Sequence, residues 1–116
     1  MIVSHSALRL TALEDGTFSL AAPYEVFMDG IVYAVPAGFI TDGASIPRWL
    51  WRLCGHPFEE PRLYAAVLHD YFYQTHAMGR AKCDALFRDI QRALGRGTFV
   101  TALEYRALRL FGGSHW

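Results

Sequence analysis

A chain of 116 residues with a hydrophobic fraction of 53% has the size and apolar content of one folded domain, residues 1–116, and not those of a disordered segment. Eleven Lys and Arg balance eleven Asp and Glu, so no net field recruits nucleic acid, and no apolar stretch approaches the ~20 residues of a membrane span. Cys54 and Cys83 are too few for a disulfide framework and form no C-x-x-C pair, so both read as reduced, buried, small apolar residues.

The N-terminal residues Met1-Ile2-Val3-Ser4-His5 have no basic start followed by a long apolar run, which predicts no signal peptide and a cytoplasmic product unless a larger particle carries it. Strands are expected over about residues 7–46. Ala7 to Leu13 alternates up to a Glu14-Asp15-Gly16 turn, and Phe18-Ser19-Leu20 resumes the apolar pattern, giving one hairpin. A second runs from Tyr24-Glu25-Val26-Phe27 through Asp29-Gly30, a dipeptide that tolerates the positive φ of a tight turn, into Ile31-Val32-Tyr33-Ala34-Val35. Pro36-Ala37-Gly38 ends that strand.

Beyond Phe58 the period becomes helical, and helices are expected over about residues 61–111. Pro61 suits a first helical position, where its missing amide would have been unsatisfied anyway, and that helix runs to about Gln74. Gly79-Arg80 opens a second helix, with Leu86, Ile90 and Leu94 on one face and Gly95-Arg96-Gly97 as its stop. Thr98 starts a third through Leu103, Ala107 and Leu110 to Gly112-Gly113. The predicted fold is therefore α+β, a small antiparallel β-meander packed on a C-terminal three-helix unit.

One segment stands out chemically. Val67-Leu68-His69-Asp70-Tyr71-Phe72-Tyr73 sets two ionisable residues in the middle of an apolar helix, where burying them is costly unless they are paired or used. Neighbouring helix positions point about 100° apart, so His69 and Asp70 must have different jobs, whereas Tyr73 shares the face of His69. If the next helix is antiparallel, Asp84 reaches one ring nitrogen of His69 and leaves the other as a general base. Asp70 then remains for a hard cation, with carbonyls and the carboxylate of the Asp42-Gly43 loop as further oxygens.

The bland reading is a buried polar network in which Arg48, Arg62 or Arg80 neutralises the carboxylates and fixes the packing. Asp42-Gly43 is equally an ordinary turn with Thr41 and Ser45 bonded locally. Trp49, Leu50 and Trp51 read as an interfacial anchor or as core, and the Cys54/His56 pair lacks the further ligands of a zinc site. His5, His76 and His115 are expected to be solvated, and Arg106 and Arg109 to form a wet helical face. Eight Phe, six Tyr and three Trp are more aromatic surface than so small a core hides, which suggests a docking face.

The runs Gly38-Phe39-Ile40-Thr41-Asp42-Gly43-Ala44-Ser45-Ile46-Pro47 and Ala65-Ala66-Val67-Leu68-His69-Asp70-Tyr71-Phe72-Tyr73, with Arg80, Ala81, Asp84 and Tyr105-Arg106-Ala107 before Phe111-Gly112, closely resemble the domain of unknown function 1353 family. That family occurs largely in tailed phages and prophages, so the resemblance implies a bacteriophage origin and a place in the host cytoplasm or the assembled virion. A more local resemblance, from about Asp42 to Asp89, is to secreted phospholipases A2. There a helix carries His-Asp-x-x-Tyr and an antiparallel helix carries the Asp that orients the His. It implies a hydrolase of the esterase or phospholipase type: His69 activates water, Asp84 orients it, Tyr73 joins them, and Asp70 with the Asp42-Gly43 loop holds calcium. The helix-bridging cysteines and the fully glycine-rich calcium loop of those enzymes are missing. Lipid or another component of the cell envelope would be the substrate. The alternative is a non-catalytic tail or baseplate component that docks on virion proteins and uses the His-Asp network structurally.

Overall fold

The computed structural model describes residues 3–41, 62–111, 113 and 116. The Asp42-Gly43 loop, Arg48, the Trp49-Leu50-Trp51 run, Cys54, His56 and Pro61 lie outside the described residues. Six short strands precede three helices: β1 (Val3–His5), β2 (Leu10–Ala12), β3 (Phe18–Leu20), β4 (Tyr24–Met28), β5 (Ile31–Val35), β6 (Ile40–Thr41), then α1 (Arg62–Thr75), α2 (Arg80–Ala93) and α3 (Thr98–Phe111). The fold is α+β, with antiparallel strands followed by helices.

The strands form two three-stranded sheets, β1-β4-β5 and β2-β3-β6, where the sequence suggested a single meander. Both expected hairpins are present, β2 with β3 and β4 with β5. The β4–β5 register pairs Tyr24 with Val35 and Met28 with Ile31, leaving Asp29 and Gly30 as the turn. Their φ values of 52° and 80° are those of a type I′ turn, whose twist matches that of the strands. Alternation along β4 buries Tyr24, Val26 and Met28 and exposes Glu25 and Phe27. β1 lies outside the expected strand range and β6 falls within it without having been singled out, because each is too short to show a period. β1 exists by pairing Val3 with Met28 and His5 with Val26, and β6 by pairing Thr41 with Phe18.

α1 lies between sheet and helix layers. It packs on β5, β6 and α2, and α3 packs on α2. Ala65, Ala66, Val67, Leu68 and His69 are buried in succession, so this helix is covered on nearly every side. Tyr33 meets Phe72, and Phe39 meets Tyr71, both edge to face, which docks the strands on α1. Full burial of a side chain such as Leu68 stabilises the fold by roughly 1.5–3 kcal/mol.

α2 ends in a Schellman motif. Gly95, at φ 101°, donates its N–H to Arg92 O, while the N–H of Arg96 reaches Gln91 O. That geometry turns the chain sharply into α3.

Candidate functional site

α1 and α2 are joined by four residues and run antiparallel, as the contact pattern requires: Tyr73 meets Arg80 near the connection, and His69 meets Asp84 one turn further away on both helices. The fully buried carboxylate of Asp84 sits at the centre. His69 Nε2 lies 2.8 Å from Asp84 Oδ1, and the Tyr73 hydroxyl donates to the same oxygen at 2.5 Å. Arg109 Nη1 from α3 donates to Oδ2 at 3.0 Å. Arg80 Nε donates to the Tyr73 hydroxyl at 3.2 Å, and its Nη2 donates to the carbonyls of Leu108 and Arg109, tying the cluster to the last turn of α3. Cys83, small and buried beside Asp84, sits in the core of the helix packing.

Burial would raise the Asp84 carboxyl. The hydrogen bonds from His69, Tyr73 and Arg109 outweigh it, and the net shift is downward. Asp84 is therefore a carboxylate, which only accepts. The proton on the His69–Asp84 bond must belong to Nε2, so neutral His69 carries its lone pair on Nδ1. That Nδ1 is buried and has no hydrogen-bond partner among the described residues. The Tyr73 phenol is pushed well above its ordinary range by burial and by the Asp84 carboxylate, so it stays a donor. Burial, together with Asp84, pushes the Cys83 thiol up to about 11, leaving it an inert apolar group and not a nucleophile.

The structure thus brings His69, Tyr73 and Asp84 into one cluster and places Asp70 outside it. Asp70 is half-buried on another bearing of α1 and accepts a hydrogen bond from Gln74 Nε2 at 3.2 Å. Asp42 and Gly43 lie outside the described residues. Among the described residues no group of three His, Cys, Asp or Glu side chains converges, so the oxygens a calcium ion needs are not assembled there. No step below is routed through a metal.

Two expectations are corrected. Among the described residues the cation on Asp84 is Arg109, while Arg80 bonds the Tyr73 hydroxyl; Arg48 and the side chain of Arg62 lie outside the described residues, and Arg109 is partly exposed and ion-paired whereas Arg106 is exposed. The need for a cation was legible in the sequence, since a buried acid requires one, but the choice among many arginines was not. His76 is exposed yet stacked on Trp116 at 4.0 Å with the planes 4° apart. A second polar cluster also escaped notice. Fully buried Glu104 accepts from Arg96 Nη1 at 2.8 Å, and the same nitrogen bonds Gln91 Oε1, with Thr101 accepting from Arg92 nearby. Its signal was a Glu set among Val100, Leu103, Ala107 and Leu108, the same clue that marked His69.

Fold and site together define an α+β domain with a His–Asp–Tyr–Arg cluster at the junction of three helices. The chain belongs to the family described as Protein of unknown function (DUF1353), which matches residues 18–108 and so includes every member of that cluster except Arg109. It is 49% identical over 84 residues to "Uncharacterized protein y4jT" of Sinorhizobium fredii (strain NBRC 101917 / NGR234), covering 72% of this chain and 25% of that protein. It is 31% identical over 87 residues to "Uncharacterized protein y4iH" of the same strain, covering 75% of this chain and 36% of that protein. The chain therefore spans about a quarter to a third of the length of these relatives. No solved structure matches it. No helix among the described residues is long and apolar enough to cross a membrane.

Proposed function

We propose that the chain is a hydrolase of ester bonds, of the type its local resemblance to phospholipases A2 implies, with His69 as general base. The observation that carries this reading is the asymmetry of the imidazole: Nε2 is held by a buried carboxylate, and Nδ1 is buried without a partner among the described residues. A buried nitrogen without a partner is costly, and a site for water or substrate accounts for one that has none among the described residues.

In this mechanism Nδ1 takes a proton from water as the water oxygen bonds to the ester carbonyl carbon and the carbonyl electron pair moves onto oxygen. The tetrahedral intermediate then collapses. The alkoxide leaves and takes the proton back from Nδ1, giving acid and alcohol. Asp84 stabilises the imidazolium through Nε2, while Arg109 and Tyr73 hold Asp84 ionised and in place. The proposal includes a phage or prophage setting, a lipid or cell-envelope substrate, and calcium at Asp70 with the Asp42-Gly43 loop as an added requirement.

The test is turnover of ester substrates and phospholipid vesicles, with and without calcium, by the wild type and His69→Ala. Loss of a positioned general base should lower turnover by about 10²–10⁴-fold. No turnover by the wild type, or full turnover by a folded His69→Ala variant, removes the enzymatic claim.

A second reading, a tail, baseplate or assembly component, is favoured by the exposed apolar side chains of α3. Phe99 and Leu110 are each 76% exposed and Phe111 is 51% exposed, an unusual display for a surface helix. Stoichiometric recovery of the chain in purified particles would support it, and a product absent from particles would count against it.

A further inference from the structure

We infer that the outer face of α3 docks on an anionic lipid surface, an inference that does not depend on the base role proposed above. α3 carries large side chains on two opposite sides. Thr101, Glu104, Ala107 and Leu108 are buried against the rest of the fold, whereas Phe99, Leu103, Arg106 and Leu110 recur at spacings of four, three and four on the side turned away. The eleven residues from Phe99 to Leu110 make almost three turns, so the two share a bearing about 16 Å apart along the axis. Each is 76% exposed. The stripe cannot enter this domain's own core without turning Glu104 and Leu108 out, so an occupant from outside the domain must cover it.

Arg106 stands in the middle of the stripe. With Phe99, Ala102 and Leu103 it lines an open hollow of about 190 Å³. Its guanidinium forms no ion pair among the described residues. A cation at the rim of an apolar slot matches a phospholipid: the guanidinium takes the phosphate, and the slot with Phe99 and Leu110 takes the first methylenes of the chains.

The sign of the surroundings selects this occupant over others. Residues 80–109 carry seven Lys and Arg against three acids, and two of those acids, Asp84 and Glu104, are fully buried. Residues 3–41 are the reverse, with four exposed acids against Arg9. The zero total thus conceals a charge separation that turns the helices toward an anionic surface and the strands away from it. The other exposed apolar patch, Phe27 at 44% and Val32 at 57% on the outer sheet face, shares its hollow with Glu25, which such a surface repels. A second copy of the chain is a poorer fit, because antiparallel pairing of the stripes sets Leu110 against Phe99 only by bringing the two Arg106 side chains close to the same axis.

The experiment is flotation of the full chain with vesicles of phosphatidylcholine alone or mixed in equal parts with phosphatidylglycerol. The wild type should float with the mixed vesicles and partition less onto phosphatidylcholine. Phe99→Ser with Leu110→Ser should lower the partition about tenfold. Arg106→Gln should lower it about fivefold on the mixed vesicles alone. Phe27→Ser with Val32→Ser, which removes exposed apolar surface from the sheet instead, should change nothing. A wild type that stays at the bottom of the gradient, equal partition onto the two vesicle types, or a loss as large from the sheet pair as from the helix pair overturns the inference. A stripe made for a protein partner gives the first of these outcomes. Circular dichroism checks that each variant keeps its fold, and if the helix pair does not, Phe99→Ser alone decides by the same criterion. Binding without turnover of the lipid leaves the docking face standing and counts only against the hydrolase reading.

Discussion

Two buried carboxylates, Asp84 and Glu104, sit at opposite ends of the α2–α3 pair, and each is fully enclosed. Around Glu104 the hydrogen bonds among the described residues link positions close in sequence: Arg96 reaches both Glu104 and Gln91, and Arg92 reaches Thr101. Around Asp84 the partners come from three helices, and the cluster leaves one buried nitrogen, His69 Nδ1, without a partner among the described residues. A network that satisfies its members is sufficiently explained by packing specificity. One that holds a buried base without a partner among the described residues is the better candidate for chemistry.

The comparison breaks if the two clusters respond alike to losing their acids. Asp84→Ala strands His69 Nε2, the Tyr73 hydroxyl and Arg109 together, and should cost about 3–5 kcal/mol in denaturant unfolding. Glu104→Ala leaves an arginine whose side chain is already 16% exposed and can turn to water, so about 1–3 kcal/mol is expected. Equal losses would show that the Asp84 cluster has no special tension.

Acidification gives a smaller and more selective effect. The folded-state carboxyl of Asp84 is lowered, so its stabilisation is present above the unfolded carboxyl range and is lost as pH falls through the folded value. One such group contributes a slope of at most about 1.4 kcal/mol per pH unit. Unfolding free energies of the wild type and Asp84→Asn measured across the acid range should differ by that slope. Parallel curves would mean that Asp84 is not held ionised by its partners.

Much of the fold was readable in residue order because its signals are local. The Asp29-Gly30 turn follows from backbone sterics, the alternation of Tyr24, Val26 and Met28 from the pleat, and the end of α2 at Gly95 from the left-handed φ that a Schellman cap needs. β1 and β6 were not readable, because three-residue and two-residue strands carry no period and exist only through their partners. Of the site, the His69–Tyr73 spacing and the acid on the following helix were visible in the sequence. Arg109 was not, because it comes from an element 25 residues away from Asp84 whose rotation about its own axis is set by α2.

The sequence by itself determined the elements, the shared face of His69 and Tyr73, and the need of a buried acid for partners, since these depend on helix geometry and on the cost of desolvating charge. Tertiary structure alone decided which cation answers Asp84, how the strands divide into two sheets, and that a tryptophan edge lies against Tyr73. Those choices depend on how distant segments pack, and periodicity along a chain does not encode the rotation of one helix against another.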